Sequence, residues 1–592
     1  MTLSFNLHSK FFFIIITGLL LSCSAPKPEL LQPVNVTDIT VDGEIGRRID
    51  VTINKNLLAI DMEDQFLRHF RQQKEKPELR DDFCGIGMFI DGLVTFAAYK
   101  KDSSLTAFKD HIINELLHTQ DSTGYMGVYT PPMRKKNWDN HESAYIIMGL
   151  VNDYHYFKNQ NSLRAAQRLA ENMVNHKDPY ICGFEQALLA LYRETGDKQY
   201  YKYCVNELGL PVFKGGSEHH STHVYGYIAR AYAQLLLYEM EPDPLLLYRS
   251  KAAIENMITF HAMDITGTIG SWEHWNNTCA GIGACGETCA SAYALRMLGK
   301  LLQIERNSLY GDMMERIIYN ALFAAQSPDG RQLRYFTPFE DERVYYPDDY
   351  FCCPNNFRRI MAELPAFIYY QAQDSIFVNL YNESQAELLI NGNKTGLSQT
   401  TDYPASGKVI ITVSPEKAET FTILLRIPSW CSDAHIGVNG VVVDAKPVRG
   451  HFYAINRQWR AGDEINLSLP MELRFISGTM EQYNRAALMR GPVVFCLSNE
   501  DNHNLLDARI RKQQILVDPQ SISAVVADSR FRPGGAQYSV RALAIGGKTL
   551  QNTRLILSEF INPDGIKTFF DLPDSLFNKL VVEDEFLLKD KL

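Results

Sequence analysis

The chain has 592 residues, 45% of them hydrophobic and 22% charged, which is the composition of an ordinary globular protein too long for a single core. The formal net charge of −10 argues against general binding to nucleic acid or to anionic lipid. Eleven cysteines, an odd number in so long a chain, do not make a disulfide scaffold. These values predict several folded domains and no nucleic-acid partner.

The first 33 residues read as a targeting segment followed by a tether. An apolar run from Phe11 to Leu21 ends in Leu20-Leu21-Ser22-Cys23, a pattern similar to the signal peptides of bacterial lipoproteins. Residues 1–22 would then be removed, Cys23 would carry the lipid, and residues 23–33 would form the tether. The alternatives are an uncleaved anchor and a chance match to the pattern. The pattern predicts a protein of the bacterial cell envelope, periplasmic or at the surface, whose only membrane contact is this lipid.

Residues 34–54 contain two short strand-like segments, Val36 to Val41 and Ile49 to Ile53. Both are rich in β-branched residues, which favour strands. We therefore expect residues 34–54 to add strands to one of the later β-domains.

From residue 55 to 370 the pattern is helical and repeats. Apolar residues recur at helical spacing, as in Ala165, Leu169 and Met173. Five times a helical stretch ends in an aromatic or leucine residue, a polar turn follows, and a second helix begins. These junctions are residues 96–105, 154–163, 191–200, 237–245 and 302–309. Most of the unusual polar and aromatic residues lie between the hairpins, so a closed ring with a central pocket explains them better than an open solenoid.

After residue 370 the apolar period changes to two. Segments such as Phe421 to Ile427 and Glu464 to Leu469 are typical of strands, and Asn439-Gly440 favours a tight hairpin. We predict a β-sandwich over residues 371–475 and a second β-rich domain over residues 476–592. The fold class is therefore multidomain α + β.

One cluster of side chains could hold a metal ion. Glu287 and Cys289 lie in one motif, and the neighbours Cys352 and Cys353 lie 63 positions beyond Cys289. Three thiolates and one carboxylate form a four-coordinate set that suits zinc. The spacing is not that of a zinc finger, so a vicinal disulfide beside a buried glutamate, or ordinary core cysteines, remain alternatives.

Several motifs, in this order, resemble the β-L-arabinofuranosidases of glycoside hydrolase family 127 and the related family 146. The resemblance covers most of the chain after the tether. The motifs are Gly286-Glu-Thr-Cys-Ala-Ser291, Met313-Met-Glu-Arg-Ile-Ile-Tyr-Asn320, Cys352-Cys-Pro-Asn-Asn356, Leu425-Arg-Ile-Pro-Ser-Trp430, Trp459-Arg-Ala-Gly-Asp463, Leu469-Pro-Met471 and Leu488-Met-Arg-Gly-Pro492.

The resemblance implies an (α/α)6 toroid as the catalytic domain, followed by β-sandwich domains. It implies a Zn²⁺ ion held by Glu287, Cys289, Cys352 and Cys353, with Cys352 as the nucleophile. It also implies an acid/base glutamate shortly before the Glu-Thr-Cys motif, and Glu273 is the best match. The loop around Glu273 departs from the commoner family pattern.

Further residues match substrate-binding positions. The resemblance assigns this role to His223 and His220 at the start of one helix, to His141 at the start of another, and to Glu315. Each histidine by itself also suits a capping or solvated role, and Glu315 suits an ion pair on a helix surface. Trp272, beside Glu273, could stack on a sugar face or simply pack.

Other positions depart from the family. Gly149-Leu150 stands where typical members carry Gly-His, and no histidine stands near Phe184-Glu185-Gln186. The resemblance therefore implies a retaining exo-glycosidase that acts on plant oligosaccharides or polysaccharides. Its substrate would be a terminal β-L-arabinofuranosyl residue or a similar uncommon pentosyl residue, such as an acidic, branched one. The alternatives are an (α/α)6 polysaccharide lyase or unsaturated uronyl hydrolase, and a non-catalytic, lipid-anchored glycan-binding protein.

Overall fold

The structure, a computed structural model, describes residues 29–73, 85–135, 138–174, 182–214, 223–259, 263–275, 278–503, 514–525, 529–546 and 549–587. The predicted signal peptide, Cys23, most of the tether and His220 lie outside these residues. Within the described ranges, no helix has both the length and the apolar character needed to cross a bilayer.

The helical region is a toroid of helix pairs. Its helices are α1 (Gly43–Val51), α2 (Arg68–Arg71), α3 (Ile86–Lys100), α4 (Ser103–Leu117), α5 (Trp138–Phe157), α6 (Gln160–Val174), α7 (Phe184–Thr195), α8 (Lys198–Lys202), α9 (Val224–Met240), α10 (Pro244–Thr259), α11 (Thr288–Glu305), α12 (Ser308–Arg316) and α13 (Cys352–Glu363). The odd-numbered helices from α3 to α13 each contact the next, and α13 returns to α3, which closes an inner ring. The even-numbered helices from α4 to α12 each pack on an inner helix, and α1 contacts α13. This is the predicted (α/α)6 toroid.

The sequence explains why these helices form and where they end. The five predicted junctions coincide with the turns of the hairpins. At three of these turns a short polar side chain caps the second helix: Asp102 accepts from the Leu105 amide, Asp197 from Gln199 and Asn307 from Leu309. Inner helix α11 is buried along almost its whole length, whereas outer helix α6 buries one face only.

A β-sandwich follows the toroid. Its strands are β1 (Gln32–Pro33), β2 (Ile39–Val41), β3 (Tyr369–Ala372), β4 (Ser375–Val378), β5 (Ser384–Ile390), β6 (Asn393–Thr401), β7 (Lys408–Pro415), β8 (Glu419–Ile427), β9 (His435–Val438), β10 (Val441–Val442), β11 (His451–Trp459) and β12 (Asp463–Ser468). One sheet has the order β1-β3-β4-β8-β11 and the other β10-β9-β12-β7-β6-β5-β2. Strand β5 alternates strictly between buried and exposed residues, as expected when one face of a sheet meets a core.

The N-terminal segment differs in part from its prediction. Strands β1 and β2 pair with β3 and β5 and so extend the two sheets of the sandwich. The prediction of a strand over Ile49 to Ile53 is wrong, because α1 runs through Val51 and a π-helical turn covers Thr52–Asn56. Ile45, Ile49 and Ile53 recur every four residues and are all buried, which is the period of a helix and not of a strand.

The C-terminal part is a third sheet. Its elements are β13 (Leu473–Ser477), β14 (Arg485–Arg490), β15 (Val493–Ser498), α14 (Asn499–Asn502), β16 (Gln514–Val517), β17 (Ser523–Ala524), β18 (Gln537–Gly546), β19 (Thr549–Glu559), β20 (Gly565–Lys567), β21 (Phe569–Asp571), α15 (Asp574–Leu580) and β22 (Val581–Val582). The sheet has its own buried apolar cluster. Because β13 begins at Leu473, this part starts a few residues before the predicted boundary.

The third sheet also holds a long loop of the toroid. Arg334 donates to the Pro563 carbonyl at 3.0 Å, Arg343 donates to the Asn562 carbonyl at 3.0 Å, and Lys567 pairs with Glu340 at 3.0 Å. All three contacts reach the loop between α12 and α13. The C-terminal part therefore fixes a segment that lies beside the candidate site.

Candidate active site

The candidate metal ligands meet at one end of the inner ring. Glu287 immediately precedes α11, Cys289 lies in its first turn, and Cys352 and Cys353 begin α13. Helices α11 and α13 are neighbours in the ring. The positive end of the helix dipole favours anionic side chains at these positions. Two distant sequence motifs thus contribute four acidic groups to one point.

The four side chains form a compact, buried cluster. The ligand atoms of Glu287, Cys289, Cys352 and Cys353 all lie within 4.8 Å of one another. The Cys353 thiol donates to Glu287 Oε1 at 3.8 Å, and Asn356 Nδ2 donates to Cys289 Sγ at 3.2 Å. Every cysteine in the described ranges is a free thiol, so Cys352 and Cys353 form no vicinal disulfide here.

The cluster is suited to a cation. Burial raises the pKa of Glu287, Cys289 and Cys353 above their ordinary values, whereas thiol hydrogen bonds from Cys289 and Cys353 lower the pKa of Cys352. Four acids in a dry pocket cannot all ionise without a compensating positive charge. Among the described residues, Glu287 Oε2 is buried without a hydrogen-bond partner. Three thiols, one carboxylate and an unused oxygen fit zinc.

Glu273 stands on a tight turn facing this cluster. Trp272 and Glu273 have φ values of 53° and 63°, and Ser271 pairs with His274 across them. Two successive residues with positive φ are the signature of a type I′ turn, which costs energy for non-glycine residues. The Glu273 carbonyl accepts from the Val224 amide at 2.8 Å, which ties the turn to the start of α9.

Tyr335 connects Glu273 with Cys352. Its hydroxyl is hydrogen-bonded to Glu273 Oε1 and lies 3.3 Å from Cys352 Sγ. His223 approaches the same carboxylate, with Nε2 3.6 Å from Glu273 Oε2. The structure therefore brings a thiol and a carboxylate within hydrogen-bond reach of one hydroxyl group. Sequence reasoning missed Tyr335, because it lies in the irregular loop that the C-terminal sheet holds.

A wall of histidine and tyrosine side chains continues from the cluster. His141 Nε2 lies 2.7 Å from the Tyr225 hydroxyl, and the rings of His223 and Tyr225 are 4.4 Å apart. Burial lowers the pKa of His141 to about 3 and also lowers that of His223. His141 is therefore neutral near pH 7, and a neutral imidazole can both donate and accept a hydrogen bond. Tyr225 is a second residue that the sequence did not single out.

Glu315 does not join the site. It is fully buried on α12, where its carboxylate pairs with Arg426 at 2.9 Å and accepts from Trp430 Nε1 at 3.1 Å. Both partners belong to the β-sandwich. The prediction that Glu315 binds substrate is corrected, because these contacts hold its carboxylate at the interface between the toroid and the sandwich. Removing one partner of such a buried ion pair typically lowers the free energy of unfolding by about 3–5 kcal/mol. A structural role therefore accounts for a glutamate at this position.

Two further thiols near the site also stay outside the cluster. Cys279 Sγ lies 3.2 Å from Thr479 Oγ1, and the Cys285 thiol donates to the Thr278 carbonyl at 3.6 Å. Burial raises the pKa of both. Both thiols are therefore protonated and buried as packing residues.

With this geometry in view, comparison with known proteins identifies the chain. The model of the GH127 β-L-arabinofuranosidase catalytic domain matches residues 48–366, and that of the GH127 middle domain matches residues 375–471. The protein is thus a glycoside hydrolase. More narrowly, the chain belongs to the β-L-arabinofuranosidase family GH127.

Individual relatives match most of the chain. A non-reducing end β-L-arabinofuranosidase of Bifidobacterium longum subsp. longum is 25% identical over 522 residues, which are 72% of this chain and 78% of the relative. The crystal structure of a GH127 β-L-arabinofuranosidase from Geobacillus stearothermophilus T6 has a TM-score of 0.77 at 22% identity and covers 90% of this chain and 100% of its own. The GH127 β-arabinofuranosidase BT3674 has a TM-score of 0.80 at 20% identity, covering 94% and 99%.

Proposed function

We propose that this protein is a retaining exo-glycosidase in which Cys352 is the nucleophile and Glu273 the acid/base. One observation carries the proposal: the Tyr335 hydroxyl is within hydrogen-bond reach of both groups. Retaining enzymes need their two groups close together, because no water has to fit between the nucleophile and the sugar. The substrate would be a terminal β-L-arabinofuranosyl or similar uncommon pentosyl residue of a plant glycan, which the β-L-arabinofuranosidase activity named for the relatives supports.

The chemistry follows in two steps. The Cys352 thiolate attacks C1 of the sugar, the bond from C1 to the leaving oxygen breaks, and Glu273 donates its proton to that oxygen. The Glu273 carboxylate then takes a proton from water, the oxygen of that water attacks C1, and the carbon–sulfur bond breaks to release the thiolate. Each step inverts C1, so the product keeps the configuration of the substrate.

Several neighbours assist these steps. The start of α13 stabilises negative charge on Cys352, and Tyr335 orients the thiol against the carboxylate. Glu287, Cys289, Cys352 and Cys353 are the residues that would hold zinc. When bound, the ion would keep thiols ionised at neutral pH, where a free cysteine with a pKa of about 8.5 is mostly protonated. The predicted lipid on Cys23 would keep the enzyme in the cell envelope.

Product analysis tests the function. Purified protein is expected to release a single pentose from the non-reducing end of β-L-arabinofuranosides, and the first product seen by proton NMR should have the β configuration. The α anomer as first product would contradict a covalent intermediate on Cys352. An unsaturated uronyl product would instead indicate the lyase chemistry considered above, and glycan binding without hydrolysis would indicate a binding protein.

Metal content tests the cluster separately. We expect about one zinc per chain by plasma mass spectrometry in the wild type and a loss of most of it in Cys289→Ser, because hydroxyl groups are poor zinc ligands. The matched control is Cys204→Ser, which replaces a buried thiol outside the cluster and should keep the metal. Equal zinc in both variants would mean that Cys289 is not a ligand.

A further inference from the structure

A second feature adjoins Glu273 on its solvent side. A cleft of about 630 Å³ lies between the Glu273 turn and the loop that carries Tyr335 and Tyr346. Two large apolar residues at its edge are unusually open to water, since Trp272 is 70% and Val344 74% exposed. Exposed apolar side chains grouped around a concavity usually mark a place where a ligand binds.

The chemistry proposed above defines which part of the substrate reaches this cleft. The general acid must lie within hydrogen-bond reach of the leaving oxygen. The leaving group therefore extends from C1 past Glu273, away from the nucleophile Cys352 on the other face of the sugar. Since Glu273 itself lines the cleft, the cleft is the space that this leaving group enters.

The lining indicates the chemistry of the leaving group. The charged residues that line the cleft are Glu273 and Glu342, and of the described residues that line it none is a lysine, an arginine or a histidine. Asp341 stands at the same rim, where it accepts from the Gly283 amide at 3.1 Å. An anionic group would meet like charges here, whereas the flat face of a neutral sugar ring could stack on Trp272.

We propose that this cleft binds the leaving-group sugar and selects an uncharged ring over a uronate. The inference rests on the proposed function and names its substrate class: a terminal pentose attached to a neutral glycan chain. Trp272 supplies the stacking surface, and Glu342 disfavours a carboxylate. This acidic lining argues against a substrate whose pentose is attached directly to a galacturonic acid residue.

Kinetics with two leaving groups test the role of Trp272. For Trp272→Ala, kcat/KM on a neutral disaccharide should fall about tenfold, the loss of one stacked ring. Its activity on the glycosyl fluoride of the same pentose should stay within about twofold, because fluoride is too small to reach the indole. Tyr248→Ala, at an exposed tyrosine on α10, is the control. Equal losses on both substrates would mean that the variant disturbs the pentose site and not the leaving-group site, and would overturn the proposal.

The charge selectivity has its own test. We compare two disaccharides that carry the same terminal pentose. The wild type should have a kcat/KM at least about tenfold higher when the pentose is attached to galactose than when it is attached to galacturonic acid. Glu342→Gln should bring the two kcat/KM values closer together. Equal rates on the two substrates would overturn the selectivity.

Binding measured without turnover separates this inference from the proposed function. In titration calorimetry, the Cys352→Ser protein should bind the pentosyl-galactose disaccharide more tightly than the pentosyl-galacturonic acid disaccharide. Adding Trp272→Ala should weaken binding of the pentosyl-galactose disaccharide. Equal binding of the two sugars would overturn the proposal for the cleft. A wild type that leaves the fluoride intact would contradict the proposed function, while the calorimetric comparison would still decide what the cleft binds.

Discussion

Cys352→Ser is expected to lower kcat at least about 10⁴-fold, the size of effect seen when a nucleophile that acts in concert with an acid/base is removed. The serine hydroxyl has nearly the shape of the thiol, but it stays protonated where the thiol ionises. Thiol hydrogen bonds already lower the pKa of Cys352 in the structure. The measurement is single-turnover hydrolysis of an arabinofuranoside, with intact mass spectrometry of acid-quenched wild type to detect one pentosyl group on the chain.

The control for this variant is Cys431→Ser, which changes another buried free thiol in the β-sandwich. It should keep full activity and show the same near-UV circular dichroism. Activity of Cys352→Ser within about tenfold of wild type would exclude a sulfur nucleophile at this position. A pentosyl adduct that maps to another residue would do the same.

Glu273→Gln is expected to reduce kcat/KM by about 10²–10⁴ on a sugar leaving group, the usual contribution of a general acid. The amide keeps the shape and the contact with Tyr335, but it has no proton to donate to the leaving oxygen. With a good leaving group, such as dinitrophenolate, the variant should form the covalent intermediate at almost the normal rate. Hydrolysis of that intermediate should then be slow, because no general base activates the water. Azide should restore turnover and yield a glycosyl azide of retained configuration, because the anion needs no general base.

An exposed carboxylate provides the control for the charge change. Glu255→Gln on α10 should leave both rates unchanged. If azide does not rescue Glu273→Gln and both kinds of leaving group lose activity equally, Glu273 positions the substrate and another residue is the acid. Glu273 lies on a strained turn, so its replacement could also misplace the substrate. The comparison separates the two causes: a misplaced substrate reacts slowly with every leaving group, whereas lost proton transfer slows only the reactions of poor leaving groups.

Part of the molecule could be predicted because its signals are local. Apolar spacing predicts the helix hairpins, and so do capping residues such as Asp102 and Asn307. Their side chains accept hydrogen bonds from backbone amides only two or three residues away. The Asn439-Gly440 turn is equally local, and both residues have the positive φ that the pair tolerates. Thiolate and carboxylate chemistry likewise marked four residues as candidate metal ligands from the sequence.

Other roles depend on partners that are far away in the chain. Glu315 matches a family motif, yet Arg426 and Trp430 lie more than 100 positions later, and no local pattern shows that they surround its carboxylate. For Ile49 and Ile53 the sequence predicts a strand, because β-branched residues favour strands. Their burial beside the toroid outweighs that preference, since burying several apolar side chains on one helical face is worth more than a small propensity difference.

By itself, then, the sequence determined the pairs of helices, the strands of the sandwich and the identity of the cluster Glu287, Cys289, Cys352 and Cys353. These features depend on the period of the apolar residues, on helix caps and on the chemistry of the side chains, all of which can be recognised within short stretches of sequence. The contacts of Tyr335 with both Glu273 and Cys352, and the exposure of Trp272 beside them, depend instead on how the chain packs in three dimensions. The physical reason is that a loop without regular hydrogen bonds takes its shape from what holds it, here the C-terminal sheet more than 200 residues further along.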